Sequence, residues 1–338
     1  MSRFPSRASP RQYAVRLATA PPRGPAVGQV HPDRSAPRPV RLAGVRRDFG
    51  GPDDLAAMQA MASRLWTPRS RFHPGQLAWS RYFRPVDPAR LDEGEAISIW
   101  EHAGETVGFG WAETPEWLEL QVDPAHPEVA EELLEWFEEA SDADQQSALV
   151  MDGDVAEQAL AAAGFTREEG GPFFVHHVVD LADLPPVPVV DGYALRHVEA
   201  DEAAPRAAVH AAAWSDVGPS QVDAQAYAQV MAAWPYRHDL DWVVTDAAGE
   251  LVASALVWLD PATGVGLLEP VGCLPAHRGQ GLARAVTLAA LHALRSAGGA
   301  VAQVTPRGDD AYPGPQRLYR SLGFRPTART VTWTRSLD

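Results

Sequence analysis

The sequence contains no lysine and no asparagine, so all 29 of its basic residues are arginine. Isoleucine occurs only as Ile97 and Ile99, and cysteine only as Cys273. Such a bias is expected of a GC-rich coding sequence. Without lysine there is no Walker A loop, no pyridoxal Schiff base and no lysine-based kinase site. A lone cysteine excludes a disulfide framework and a Cys-built zinc site. No apolar run approaches the ~18 residues of a membrane span. No apolar stretch follows a basic start as in a secretory signal, so the expectation is a cytoplasmic protein with no membrane partner.

The chain has 338 residues, 46% of them apolar, which suits about two domains with sizeable cores. The net charge of −15 is unevenly spread: residues 1–47 carry +9, residues 48–184 carry −21 and the remainder −3. An acidic body repels phosphate backbones, so no nucleic-acid partner is expected. Residues 1–39 are rich in Arg and Pro without periodicity and read as a disordered tail, either simply solvated or touching an acidic surface.

Two passes of one pattern follow. The first runs from a strand at Arg41–Arg46 through a helix with Pro52 at its entry. A hairpin turning at His102–Glu105 comes next, then a strand at Leu118–Val122 and a helix to Ala140. A strand at Ala148–Met151 and a short helix lead to Gly164-Phe165, and a strand at Phe173–Val179 ends the pass. The second pass repeats the order, with a strand at Tyr193–Val198, two helices at Ala203–Trp214 and Ala224–Trp234, and a hairpin at Trp242–Leu259. The strand Val265–Leu274, the helix Leu282–Ala297, the strand Val301–Val304, the helix Pro315–Leu322 and the strand Thr330–Thr334 complete it. This is a duplicated α+β (α/β/α) unit, with expected domains 40–183 and 191–338 and a proline-rich linker 184–190.

The chemistry-bearing stretch is Leu267–Ala283. A strand passes through Pro275 into Arg278-Gly279-Gln280-Gly281-Leu282-Ala283 at a helix start. A glycine-rich turn there presents free amides and the positive dipole end to an anion. Pro270 removes a ladder donor, so the strand is expected to splay from a neighbour and open a gap for an extended ligand. Glu269, the only carboxylate within Val265–Leu274, is a candidate base or amine anchor. Trp214, Tyr236 and Trp258 are candidates to line an acceptor pocket. Cys273 lacks an identifiable His or Asp partner for nucleophilic work, and His277 flanks the loop. The adjacent His176 and His177 point to opposite strand faces, which suits no metal, and no metal is expected.

These residues resemble the GCN5-related N-acetyltransferases over most of 190–335. Arg278 to Ala283 fit that family's Q/R-x-x-G-x-G/A signature, and Leu318-Tyr319 with Leu322-Gly323-Phe324 fit its L-Y-x-x-L-G-F ending. The resemblance implies two tandem folds, each a mixed, mostly antiparallel sheet flanked by helices, and acetyl-CoA as co-substrate. It implies that Val271, Cys273 and Leu274 meet the pantetheine arm and that Gly279, Gln280, Gly281, Leu282 and Ala283 bind the pyrophosphate. Tyr319 would protonate the departing sulfur, a role that suits a phenol matched to a thiolate. Where many members carry Asn and then Ala, this chain has Tyr312 and Pro315.

In the first pass the phosphate loop is replaced by Val122-Asp123-Pro124-Ala125-His126-Pro127-Glu128, and the tyrosine by Leu160. That copy is expected to keep the fold without the cofactor site, its acidity either favouring a cationic substrate or merely solubilising the protein. The implied function is direct acetyl transfer to a small-molecule amine by a monomer or homodimer. In length and in having one degenerate half the chain also resembles mycothiol synthase, which makes an aminosugar-cysteine one alternative acceptor. An antibiotic amine, a polyamine or a protein N-terminus fits as well, and a CoA-sensing or scaffold protein is the non-catalytic alternative.

Overall fold

The computed structural model describes residues 45–113, 116–170, 173–216, 218–310 and 312–337. The expected tail therefore lies outside the described residues, as does the start of the first strand, which is seen from Val45. The first pass consists of β1 (Val45–Asp48), α1 (Pro52–Arg64), α2 (Pro74–Tyr82), β2 (Glu95–His102), β3 (Glu105–Glu113) and β4 (Trp117–Val122). It continues through α3 (Val129–Ala140), β5 (Gln145–Met151), α4 (Glu157–Ala162), β6 (Thr166–Arg167) and β7 (Val175–Asp180). The second consists of β8 (Ala194–His197), α5 (Ala203–Ala213), α6 (Ala224–Ala232), β9 (Asp241–Thr245), β10 (Leu251–Asp260) and β11 (Val265–Cys273). It ends with α7 (Leu282–Ser296), β12 (Val301–Val304), α8 (Gly314–Ser321) and β13 (Arg325–Ser336).

Local chemistry explains these elements. Pro52 sits in the first turn of α1 with Asp53 and Asp54 beside it, complementing the dipole. Ala103 and Gly104 take φ of 52° and 84°, the left-handed pair a tight hairpin between β2 and β3 requires. In α7, Leu282, Val286, Ala289, Ala290 and Leu294 are buried along one side.

The two halves do not keep their own sheets. The thirteen strands of the described residues join in one sheet, in the order β1-β2-β3-β4-β5-β13-β7-β12-β11-β10-β9-β8, with β6 beside β13. β7, which ends the first pass, pairs antiparallel with β12 of the second. β13 pairs with β7 through its first residues and then with β5 from Thr330 to Ser336. Each pass thus lends its last strand to the other. A cut between 183 and 191 separates the passes in sequence but leaves neither with all the strands of its sheet.

One hydrophobic core also crosses that cut. Leu55, Met58, Phe72, Leu77, Phe109 and Trp111 of the first pass pack with Ala207, Tyr227, Val230, Leu256, Trp258 and Leu267 of the second. The approach is closest at Gly75 in α2, where a methyl group would fall 2.1 Å from the Trp258 Cβ. Only a residue without a Cβ fits there. Gln229 of α6 captures both backbone groups of Val86, at 2.6 and 3.2 Å, and adds a polar clasp between the halves.

Candidate active site

β11 pairs in parallel with β12 only from Val265 to Leu267. Beyond that the strands part, as Pro270 leads one to expect, and a register irregularity against β10 falls at Glu269 and Pro270. The gap opens into a chamber of about 570 Å³ whose walls include Leu268 to Cys273, the loop from His277 and Tyr319. On the β10 side, the Leu274 amide donates to the Val252 carbonyl at 2.9 Å. Alternation then turns the Val271 and Cys273 amides toward the open side. Leu274 was expected to offer its amide to a ligand there; the hydrogen bond within the sheet takes that donor away.

The loop reaches α7 through Gly281, the N-cap, with φ of 83°, a left-handed conformation that favours glycine. A Cβ at Gly279 or Gly281 would meet no atom within 4 Å, so the space in front of the loop is open. The first helical bond runs from the Ala285 amide to the Gly281 carbonyl at 3.0 Å. The amides of Leu282, Ala283 and Arg284 precede it and have no intrahelical acceptor. Gln280 is held from the far side: the Tyr193 hydroxyl lies 3.1 Å from its Oε1 and 3.0 Å from His277 Nδ1. These features fit a pyrophosphate with a flexible arm. The Arg278 side chain turns back instead, donating to the Cys273 carbonyl at 3.1 Å, to the Ala213 carbonyl at 2.8 Å and to both oxygens of Asp216.

Tyr319 in α8 is buried with its ring edge-on to Phe324, the centroids 5.6 Å apart. Burial pushes its phenol pKa upward, and the charges of Glu269 and Tyr312 push it the same way, so the hydroxyl stays protonated. Glu269 and Tyr312 line the same chamber. Glu269 is half-buried on the chamber wall, and its carbonyl accepts the indole N–H of Trp258 at 2.7 Å. Cys273 lines the chamber with its thiol pKa raised by burial, the opposite of an activated nucleophile.

Of the three aromatic candidates only Trp214 reaches the chamber, 37% exposed at its edge. Trp258 is completely buried and acts on the site only through its bond to Glu269. The Tyr236 hydroxyl bonds Asp241 at 3.1 Å, in a buried cluster with Arg206 and Tyr227. Both belong to the core because the Asp241 carboxylate and the packing of α2 draw them inward.

Sequence reasoning missed the other wall. Phe72, Gln76, Trp79 and Phe83, on and beside α2, line the same chamber, with Trp111 from β3 and Glu119 from β4. Arg71 and Glu119 form an ion pair there with side chains 7% and 8% exposed. The available signal was Pro74 after a capping residue, followed by Leu77, Ala78 and Tyr82 at helical spacing.

Two histidines hold this wall against the second half. His73 caps α2: its Nδ1 accepts the Gly75 amide at 3.1 Å, while Nε2 lies 3.2 Å from the Val265 carbonyl. His210 sits between Trp79, which it meets edge-on, and Trp214, with centroid distances of 5.3 and 6.0 Å. Burial lowers the pKa of His73 from 6.5 to about 4, and burial together with Arg206 lowers that of His210 to about 3. Below pH 6.5 the unfolded chain therefore binds more protons than the folded one, and stability falls as pH drops toward 4. Each histidine costs about 1.4 kcal/mol per pH unit in that window. The melting temperature is expected to fall from pH 6.5 to 4, and less steeply in His210→Phe. A flat profile over that range contradicts the assignment of neutral, buried imidazoles.

In the first pass the corresponding loop is closed. Asp123 Oδ1 takes the Ala125 amide at 2.9 Å, and Oδ2 takes Arg64 at 2.6 Å. Glu131 and Glu132 occupy the first turn of α3, where they repel an anion. The turns after the last helices match: the Phe165 amide bonds the Leu160 carbonyl at 3.0 Å, and the Phe324 amide bonds the Tyr319 carbonyl at 3.1 Å. Leu160 thus stands in the place of Tyr319, and it is fully buried in the core of the first half.

Residues 206–324 match the model of the Acetyltransferase (GNAT) family. No curated protein matches the sequence. Among solved structures, the chain is similar to a tandem GNAT protein from the clavulanic acid biosynthesis pathway, with TM-score 0.58, 18% identity and coverage of 88% of this chain and 99% of that one. It is also similar to a GCN5-related N-acetyltransferase from Sphaerobacter thermophilus, with TM-score 0.55, 17% identity and coverage of 88% and 97%. At these identities the likeness is one of fold, and it extends over both halves.

Proposed function

We infer that this chain, whose residues 206–324 match the model of the Acetyltransferase (GNAT) family, transfers acetyl from acetyl-CoA to the primary amine of a small molecule by direct attack. The observation that carries this reading is the convergence of Tyr319, Glu269 and the open edge of β11 on one chamber. The thioester supplies the activated acyl group. The amides at the N-terminus of α7 hold its pyrophosphate, and those of Val271 and Cys273 align the arm. Glu269 draws the ammonium group of the acceptor and takes the proton the amine must lose. Tyr319, kept protonated by burial, gives its proton to the departing sulfur. No protein nucleophile is needed, since Cys273 lacks the thiolate character for an acyl-enzyme.

The test is to incubate the protein with acetyl-CoA and a panel of amines, following free CoA thiol and product mass together. The expected result is thiol release matched by an acetylated amine. Acetyl-CoA binding with neither release nor product would contradict catalysis and favour the CoA-sensing alternative.

A further inference from the structure

Resting on that reading, we propose that the acceptor is an amine carried on an aromatic or large apolar body, and that the first half of the chain selects it. The wall opposite Tyr319 and Glu269 is aromatic: Phe72, Trp79, Phe83 and Trp111 lie deep in the chamber, and His210 continues from Trp79 to Trp214 at its edge. The first four are between 2% and 7% exposed and belong to the core shared by the two halves, so each shows the chamber a small apolar area backed by packed side chains. His210 is kept neutral by its burial and adds no charge to this wall.

The charged groups of the chamber face one another rather than a polar ligand. Arg71 is held by Glu119, Arg278 by Asp216, and Arg307 by both oxygens of Asp309 at 2.7 Å. Arg284 donates to the Ser321 carbonyl and hydroxyl at 2.9 and 3.0 Å. The acidity of the first half therefore does not become a multiply negative acceptor site. Glu119 is matched by Arg71, and Glu113 lies in the field of Arg84. A polyamine needs several carboxylates along its length, and an aminosugar needs a ring of donors and acceptors. Beside Gln76 and Ser80 the wall offers mainly apolar surface, which rewards a ring or a branched aliphatic body beside a single ammonium.

The wall also explains what the silent half contributes. Phe72, Trp79, Phe83 and Trp111 all come from the first pass, and α2 is locked against the second by Gly75 on Trp258 and by His73 on Val265. The half without a phosphate loop thus completes the acceptor side of the other half's reaction centre.

The experiment compares 2-phenylethylamine and tryptamine with spermidine and glucosamine as acceptors, at saturating acetyl-CoA and with the full-length chain. Acetyl-CoA binding is measured separately by calorimetry. The expected result is a kcat/KM at least about tenfold higher for the arylalkylamines. In Trp79→Phe and Trp214→Ala the KM for the arylalkylamine should rise several-fold, with acetyl-CoA affinity unchanged; Trp214 is exposed enough that its truncation leaves the core intact. Preference for spermidine or glucosamine, or no arylalkylamine turnover with acetyl-CoA still bound, overturns the substrate class alone. So does a KM unmoved in both variants. Absence of acetyl-CoA binding overturns this proposal together with the acyl-transfer reading beneath it.

Discussion

Replacing Tyr319 with phenylalanine is expected to lower kcat about a hundredfold or more, leaving the affinity for acetyl-CoA and the melting temperature nearly unchanged. The two side chains have the same shape apart from one hydroxyl, so the edge-on contact with Phe324 and the packing of α8 persist. The change removes a proton donor from a buried position where burial, Glu269 and Tyr312 all favour its neutral form. A donor of that kind is ready at any pH at which the amine can react. Its loss appears only when the sulfur leaves, so the effect falls on kcat and not on binding. A variant as active as the parent would remove Tyr319 from the reaction.

The second large effect is expected at the loop. Gly281→Glu should weaken acetyl-CoA binding by about a hundredfold or more, equivalent to roughly 2.7 kcal/mol. Two causes act together. The left-handed backbone at φ of 83° costs a residue with a Cβ about 1–2 kcal/mol. The added carboxylate also brings negative charge to the helix N-terminus that holds the pyrophosphate. Gly281→Ala isolates the first cause, and about a tenfold weakening is expected there. The open space around Gly281 means that neither variant should clash with a neighbour, so the thermal melt should fall by no more than the backbone strain accounts for. Full affinity in Gly281→Glu would place the cofactor elsewhere.

The elements that line the chamber in the second half were legible in the sequence because their signals are local. A glycine turn before an amphipathic helix, a proline in a strand and a Leu-Tyr pair before Gly-Phe each report their own conformation. The difference of the first half was equally readable: Glu128 at the N-cap of α3 where α7 has Gly281, and Leu160 where the second half has Tyr319, are substitutions at single positions. The exchange of β7 and β13 was not legible. Both strands have ordinary alternating patterns, and partner choice depends on contacts far apart in sequence, such as Thr330 with Met151. Trp258 and Tyr236 were misplaced for a related reason. Composition marks an aromatic as large and apolar, but only the tertiary arrangement decides whether α2 covers it or a cavity exposes it. The acceptor wall was missed because α2 is short and because its function appears only after it docks on the other half.

The central claim is one working site and one silent one, joined across a shared sheet. Calorimetric titration of the intact chain with acetyl-CoA tests it most directly. The account predicts one molecule bound per chain, lost in Gly281→Glu. Two molecules per chain would contradict the closed first-half loop, and none would contradict the site itself.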